Sequence, residues 1–453
     1  MLRQKPFWIL VAVMMWVGMT VELVSGQGCS TIAVRREIRQ LSDGERADFF
    51  NALKTLHQSS QAPTAYDSLS QIHSAYASEV HNGAAFCPWH RQYLRELEKK
   101  LQKINPRVVI PYWDWTIDSQ APHKSEIFTS KYLGGNGGNN NQGGCLTNGP
   151  FAGWQMRYPN KHCLTRKFNN GSKIGAFYSS DVIAKIANNS NTYADFRSEL
   201  ESPIHGVVHM GIGGDMTVMT SPNDPLFWLH HAFIDKIWAD WQASNPARSK
   251  NYSGKRSKGG NALVTDIMNP FNVPVSAVLD TTAPGLCYRY SNSPSTTRNK
   301  RRAIPDFDPA APLAQNQDAL KLHVPEMLDE GWITRNGGNV VETRTKEQRL
   351  AGIIQQYNVI KNYISPNAMA RREDTLSKLS YINNNTFHEY YCCSPCMLDH
   401  VPNDRLGSDK GTVRSSLHST TFLSNSTPAR QWCRLKVVVS DVDVRSLARL
   451  KLK

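Results

Sequence analysis

His205-Gly206-Val207-Val208-His209, followed by Ser221-Pro222-Asn223-Asp224-Pro225-Leu226-Phe227-Trp228-Leu229-His230-His231, decides how this chain is read. On an α-helix, residues four apart project from one face, so His205 and His209 present both imidazoles to the same side. Asn223-Asp224-Pro225 has the composition of a helix start, a capping Asn or Asp with Pro in the first turn. His231 falls on the helix that it opens, where Phe227, Leu229, Ile234, Ile237, Trp238 and Trp241 recur at helical spacing. Neutral imidazole is the commonest metal ligand, and three converging from adjacent helices make a metal site. The pair is not the zinc-protease motif, because no Glu follows the first His.

A second segment lies upstream. It runs from His81 to Arg91 and contains Phe86-Cys87-Pro88-Trp89-His90-Arg91. A helix is predicted from about Trp89 through Tyr93, Leu94, Leu97, Leu101 and Ile104, ending at Asn105-Pro106. His81 and His90 need a third donor, and His73 and His57 are the candidates. Two more helices are predicted, Arg35 to Leu56 and Tyr66 to Ala77. The fold class is therefore mainly α, a four-helix bundle whose metal ligands point inward from facing helices, with loop-rich surroundings. Gly134 to Gly144 is Gly/Asn-rich and reads as a surface loop, with Cys145 and Cys163 flanking the stretch after it.

The chain has 453 residues, with 40% hydrophobic and 20% charged content, a composition that supports a real core. Residues 1–26 read as a secretory signal peptide: Arg3 and Lys5, an apolar run from Phe7 to Val21, then Val24-Ser25-Gly26. Export places the nine cysteines in an oxidising compartment, where most pair and the odd one is free or intermolecular. Asn170, Asn188, Asn251, Asn384 and Asn425 stand in N-x-S/T sites. The formal net charge of +14 suits either contact with acidic extracellular matrix or plain solubility. Its Lys and Arg lack the aromatic interleaving of a nucleic-acid binder. After Tyr288-Arg289-Tyr290 comes a Ser/Thr/Pro-rich linker, residues 291–302, ending in the basic run Arg298-Asn299-Lys300-Arg301-Arg302. That run suits a furin-like processing protease or is a solvated linker. Residues 303–453 form a C-terminal extension with some β-strand, predicted at Leu435 to Val444.

The two histidine segments resemble the copper signatures of type-3 copper proteins, the tyrosinases, catechol oxidases and haemocyanins. The resemblance spans about Ile32 to Tyr290 and includes Phe86 to Arg91, Pro111-Tyr112-Trp113-Asp114-Trp115, the Gly213-Gly214 turn, and Ser221 to His231. Within the family it looks most like animal, especially molluscan or nematode, members. The resemblance implies a catalytic domain over residues 27–290 that holds two copper ions. His73, His81 and His90 would bind one copper, and His205, His209 and His231 the other. His73 is preferred to His57 because Tyr66-Asp67 precedes it as in the family's helix, although its spacing to His81 is short. His230 becomes a pocket residue. The family oxidises catechols to o-quinones with dioxygen, and true tyrosinases first hydroxylate monophenols. All-imidazole ligation suits copper.

Two departures bear on the reaction. Many members carry a Cys two residues before the second histidine of the first site, cross-linked to it; here that position is Glu79. Cys87 is then a buried thiol or disulfide partner rather than a ligand. Strong monophenol hydroxylases pair a Glu with an Asn to orient a water that deprotonates the phenol. Glu201 matches the Glu, but Gly206 stands where the Asn would be and offers no side chain. Asp235 reads as a carboxylate supporting the ligands of the second copper, or as the partner of a surface Lys. Tyr288-Arg289-Tyr290 resembles the motif that closes the catalytic domain, with Arg35 or Arg36 as its partner. The expected protein is a secreted dicopper phenol oxidase acting on o-diphenols, for pigment or for cross-linking an extracellular matrix or shell. Its alternatives are a haemocyanin-like oxygen binder and a weakly active matrix protein. Residues 303–453 are expected to act as a lid, released by cutting near Arg301. Cys393-Ser394-Pro395-Cys396 reads as a structural disulfide or a copper-passing motif.

Overall fold

A computed structural model describes residues 28–58, 63–138, 144–293, 321–360, 419–421 and 434–436. The expected signal peptide, the basic run near Arg301, Cys392, Cys393, Cys396 and Cys433, and the sequons at Asn384 and Asn425 lie outside them. Two compact units are distinguished, residues 1–386 and 387–453. In the second, strands Ser419–Thr421 and Arg434–Lys436 pair antiparallel, so only the start of the strand predicted at Leu435 is described.

The first unit is mainly helical. Helix α1 covers Asp43–His57 and begins at a capping box, in which Ser42 and Glu45 satisfy each other's backbone N–H. The predicted start at Arg35 is therefore corrected. The strand Ala33–Arg35 runs parallel to Tyr288–Tyr290, and a single 3-10 turn, Ile38–Gln40, separates it from the cap at Ser42. Helix α2 spans Asp67–Val80, three residues beyond its predicted end. Helix α3, Phe86–Ile104, buries Trp89, Tyr93, Leu94, Leu97 and Leu101 on one face.

Helices α4 (Ser180–Asn189) and α5 (Tyr193–Glu199) lead into a wide, kinked turn at Leu200–His205, continued by α6 (Gly206–Ile212). Helix α7, Leu226–Ala243, is buried at every position from Leu226 to Trp238, as a central helix of a bundle must be. Its first turn is held by Asp224, whose Oδ1 accepts from Leu226 N at 2.9 Å and which Arg166 grips bidentately at 2.7 and 2.8 Å. Two further helices, α8 (Glu330–Arg335) and α9 (Val340–Val359), were not foreseen in the C-terminal extension.

Helices α3 and α7 are clamped by Asp235. Its carboxylate accepts from Arg91 Nε at 2.6 Å, Tyr288 Oη at 2.5 Å and Tyr290 Oη at 2.6 Å. Arg35 joins them, bonding Glu98 and Tyr290 and lying 3.6 Å over the Tyr288 ring. Arg35, not Arg36, is thus the partner of the closing motif. Asp235 ties the ends of the domain together and makes none of the hydrogen bonds of the cleft histidines, which corrects both readings made of it. Disulfide Cys29–Cys287 fastens the same two chain segments, and Cys145–Cys163 closes the flanked loop. No described helix is long and apolar enough to cross a membrane.

Candidate metal centre

His73 comes from α2, His81 from the residue after it, and His90 from the first turns of α3. These three form one cluster. The Nε2 atoms of His81 and His90 each lie 3.3 Å from that of His73. His205, His209, His230 and His231 form a second cluster, in which the Nε2 atoms of His205 and His209 lie 3.3 and 3.4 Å from that of His231. The clusters face each other, with the His90 and His231 rings stacked at 4.4 Å.

The hydrogen bonds show which nitrogen carries the lone pair. Nδ1 of His73 meets Met219 O at 2.6 Å, His90 meets Phe86 O at 2.8 Å, His205 meets Glu201 O at 3.2 Å, and His209 meets Met216 O at 2.6 Å. A carbonyl only accepts, so Nδ1 carries the proton and Nε2 is a bare lone pair. Bare lone pairs held 3.3 Å apart in a buried site repel unless a cation sits between them. Nitrogens about 2.0 Å from one metal in trigonal or tetrahedral array are spaced roughly 3.3–3.5 Å. Both triads therefore fit a metal ion, and the imidazole donor set suits copper.

Burial reinforces this state. His73, His90, His205 and His231 are held well below the usual imidazole range, first by desolvation and then by neighbouring histidines. His209 falls to about 4, again first through burial. All remain neutral ligands at pH 7.

The other expected site residues divide. Glu201 lines the cleft. Burial alone would raise its carboxyl, but bonds from His81, Arg197 and the Asn82 N–H bring it below the usual range. His230 is fully buried within the second cluster, yet does not line the cleft, and neither ring nitrogen has a hydrogen-bond partner among the described residues. His57 lies outside both clusters, half-buried and stacked on Trp154 at 4.2 Å, rather than on the surface. Cys87 is a free buried thiol, pushed up to about 12 by desolvation, and so is no thiolate ligand at neutral pH.

The Gly213-Gly214 turn has a steric cause. Both have positive φ, and a Cβ on Gly213 would meet Lys167 O at 1.8 Å. The turn ends α6 just past His209, so the chain returns at Met216 to accept that ring's proton.

The model for the common central domain of tyrosinase matches residues 63–244. A tyrosinase of Aspergillus flavus is 37% identical over 303 residues, which cover 60% of this chain and 84% of the relative. The chain belongs to the tyrosinase family. Among its other relatives, a tyrosinase of Streptomyces antibioticus is 33% identical over 275 residues, 55% of this chain and 96% of that protein. A tyrosinase-like protein of Caenorhabditis elegans is 32% identical over 231 residues, 48% of this chain and 32% of that protein. These relatives are fungal, bacterial and nematode, so the kinship is to tyrosinases broadly and not specifically to molluscan ones. The fold matches a polyphenol oxidase from Thermothelomyces thermophila with a TM-score of 0.51 and 24% identity, over 58% of this chain and 89% of that one. With its two histidine triads, this chain is a tyrosinase-type copper oxidoreductase.

The sequence points to residues 303–453 as a lid but to none of the residues that meet the histidines. Trp332, Ile333, Asn336 and Gly338, around α8, line the cleft together with the histidines. Trp332 Nε1 donates to Thr217 O at 2.9 Å, and Asn82 Nδ2 donates to Asn336 O at 2.6 Å. Gly206 lies directly beneath: a Cβ there would come within 2.9 Å of Leu328 Cδ1 and 3.1 Å of Trp332 Cη2. The missing side chain at Gly206 is thus matched by a strap that fills its place.

Proposed function

We propose that this tyrosinase-family protein is a secreted phenol oxidase that converts o-diphenols to o-quinones and is held latent by residues 321–360. The observation that carries the reading is the size of the cleft. Beneath the strap it measures about 40 Å³, whereas a cavity that takes up benzene is roughly 150 Å³. Dioxygen fits such a space and a phenol ring does not. His73, His81 and His90 would hold one copper, and His205, His209 and His231 the other. Bound there, the copper pair supplies the binding of dioxygen and the exchange of two electrons with a catechol. The chain's residues keep His73, His90, His205, His209 and His231 neutral, fix the tautomers of the first four through backbone carbonyls, and exclude bulk water. Trp332 and Ile333 exclude substrate until the strap moves.

Secretion is supported by the leader-like residues 1–26 and by the two disulfides. The basic run ending at Arg302 would be the site where residues 303–453 are cut away. Quinone formation for pigment or for cross-linking extracellular protein suits a secreted, basic chain. Gly206, without a side chain, favours diphenols over monophenols. The test is to load the purified protein with copper, cleave it after Arg302, and assay a catechol and a monophenol before and after. Catechol turnover that appears on cleavage supports the reading. Dioxygen binding without turnover in either form refutes it and favours an oxygen binder, which the small cleft would also serve.

A further inference from the structure

Five of the six ligand histidines are set within helical turns. His81 stands past the end of α2, at its C-terminal cap, with extended backbone at φ −94° and ψ 155°. Asn82 follows at φ +58°, so the chain turns sharply after the histidine. No helical turn fixes this ring, and it is the most exposed of the six at 9%. Its Nδ1 also differs from the others. It meets a carboxylate, Glu201 Oε1, at 3.2 Å, where four of the others meet backbone carbonyls.

Glu201 is itself tightly placed. Oε1 also accepts from Asn82 N at 2.6 Å, so one oxygen holds both the His81 ring and the backbone of its turn. Oε2 accepts from Arg197 Nη1 at 2.8 Å. The main-chain carbonyl of Glu201 accepts from His205 Nδ1 at 3.2 Å. One residue thereby touches a ligand of each triad.

We infer that Glu201 is the positioning residue of the metal pair: its carboxylate fixes the loop-borne His81, its carbonyl fixes His205, and Arg197 locks it in place. This rests on the dicopper reading. A carboxylate that accepts from a ligand imidazole orients the ring and raises its basicity, and loss of such a partner typically lowers metal affinity about 10–100-fold. The effect is asymmetric. Removing the side chain frees His81 and leaves the carbonyl bond to His205 in place.

The test is copper titration of the metal-free full chain, comparing wild type with Glu201→Ala, Glu201→Gln and Arg197→Gln. Thermal melting monitors the fold. Wild type is expected to take two coppers. Glu201→Ala should bind one copper with wild-type affinity and the other about 10–100-fold more weakly. Glu201→Gln, whose amide oxygen still accepts, should lose less. Arg197→Gln should weaken the same single site with Glu201 intact. If Glu201→Ala does not fold, the other two variants carry the test. Two coppers at wild-type affinity in every folded variant, or equal weakening of both sites, overturns the inference. A wild-type chain that takes up no copper overturns the dicopper reading instead.

Discussion

Replacing Trp332 by Ala tests whether the strap governs access to the metals. Trp332 is 9% exposed, donates its indole N–H to Thr217 O at 2.9 Å, and covers Gly206. A buried Trp removes about 150–250 Å² from water, which at ~25 cal/mol per Å² is an upper bound of about 4–6 kcal/mol. Part of that burial is against the strap's own residues and survives when the strap lifts. The indole hydrogen bond adds about 1 kcal/mol. A working figure for the loss of docking energy is about 3 kcal/mol, or roughly 100-fold in the ratio of open to closed forms. If only the open form admits a phenol, kcat/KM for a catechol rises by about that factor, up to the ceiling set by a chain cut after Arg302. The assay is steady-state quinone formation by uncleaved, copper-loaded protein, with copper content measured alongside. A Trp332→Ala protein with two coppers and unchanged kcat/KM would refute the strap argument, provided that the cut chain is active.

Other perturbations read other parts of the molecule. His209→Ala removes one donor of the second triad; copper content should fall from two to about one per chain by elemental analysis, and catechol oxidation to background. Asp235→Ala leaves Arg91 buried without its charged partner, a change that costs about 3–5 kcal/mol. Thermal denaturation should show a large fall in Tm, and a melting point within a degree of wild type would contradict the clamp. The metal-free protein should lose stability in acid. His209 titrates near about 4 when folded, against about 6.5 unfolded, so the unfolded chain binds more protons between those values and stability falls as pH drops through that window. The loss from this residue is about 3 kcal/mol in full, of which about 2 kcal/mol has occurred by pH 5. Urea midpoints of the metal-free chain at pH 7.5 and pH 5 check it, and equal midpoints would contradict it.

Much of the site was legible because its signals are local. His205 and His209 share a helix face by spacing alone, and the Asn223-Asp224-Pro225 start places His231 on the next helix. Choosing His73 over His57 needed the family resemblance; in the structure His73 clusters with His81 and His90, while His57 stacks on Trp154. Asp235 was misread because one helical turn from a ligand does not say which way a carboxylate faces. Its partners Arg91, Tyr288 and Tyr290 reach it from elsewhere in the chain. The start of α1 was misread because Arg35 to Leu41 carries apolar residues at helical spacing, while the actual boundary is set by Ser42 and Glu45 and by pairing with Tyr288–Tyr290.

The sequence by itself determined the candidate histidines and the helices that carry most of them, since these follow from residue type and short-range spacing, while the two triads and their chemistry came from the family resemblance that the sequence carries. Tertiary structure alone decided how the donors are held and covered. His81 has no helix to orient it and depends on Glu201, 120 residues away. Gly206, read at first as a missing catalytic amide, is the floor on which Leu328 and Trp332 rest. Both facts arise from side chains distant in sequence that meet only when the chain is packed, and no periodicity encodes such a meeting.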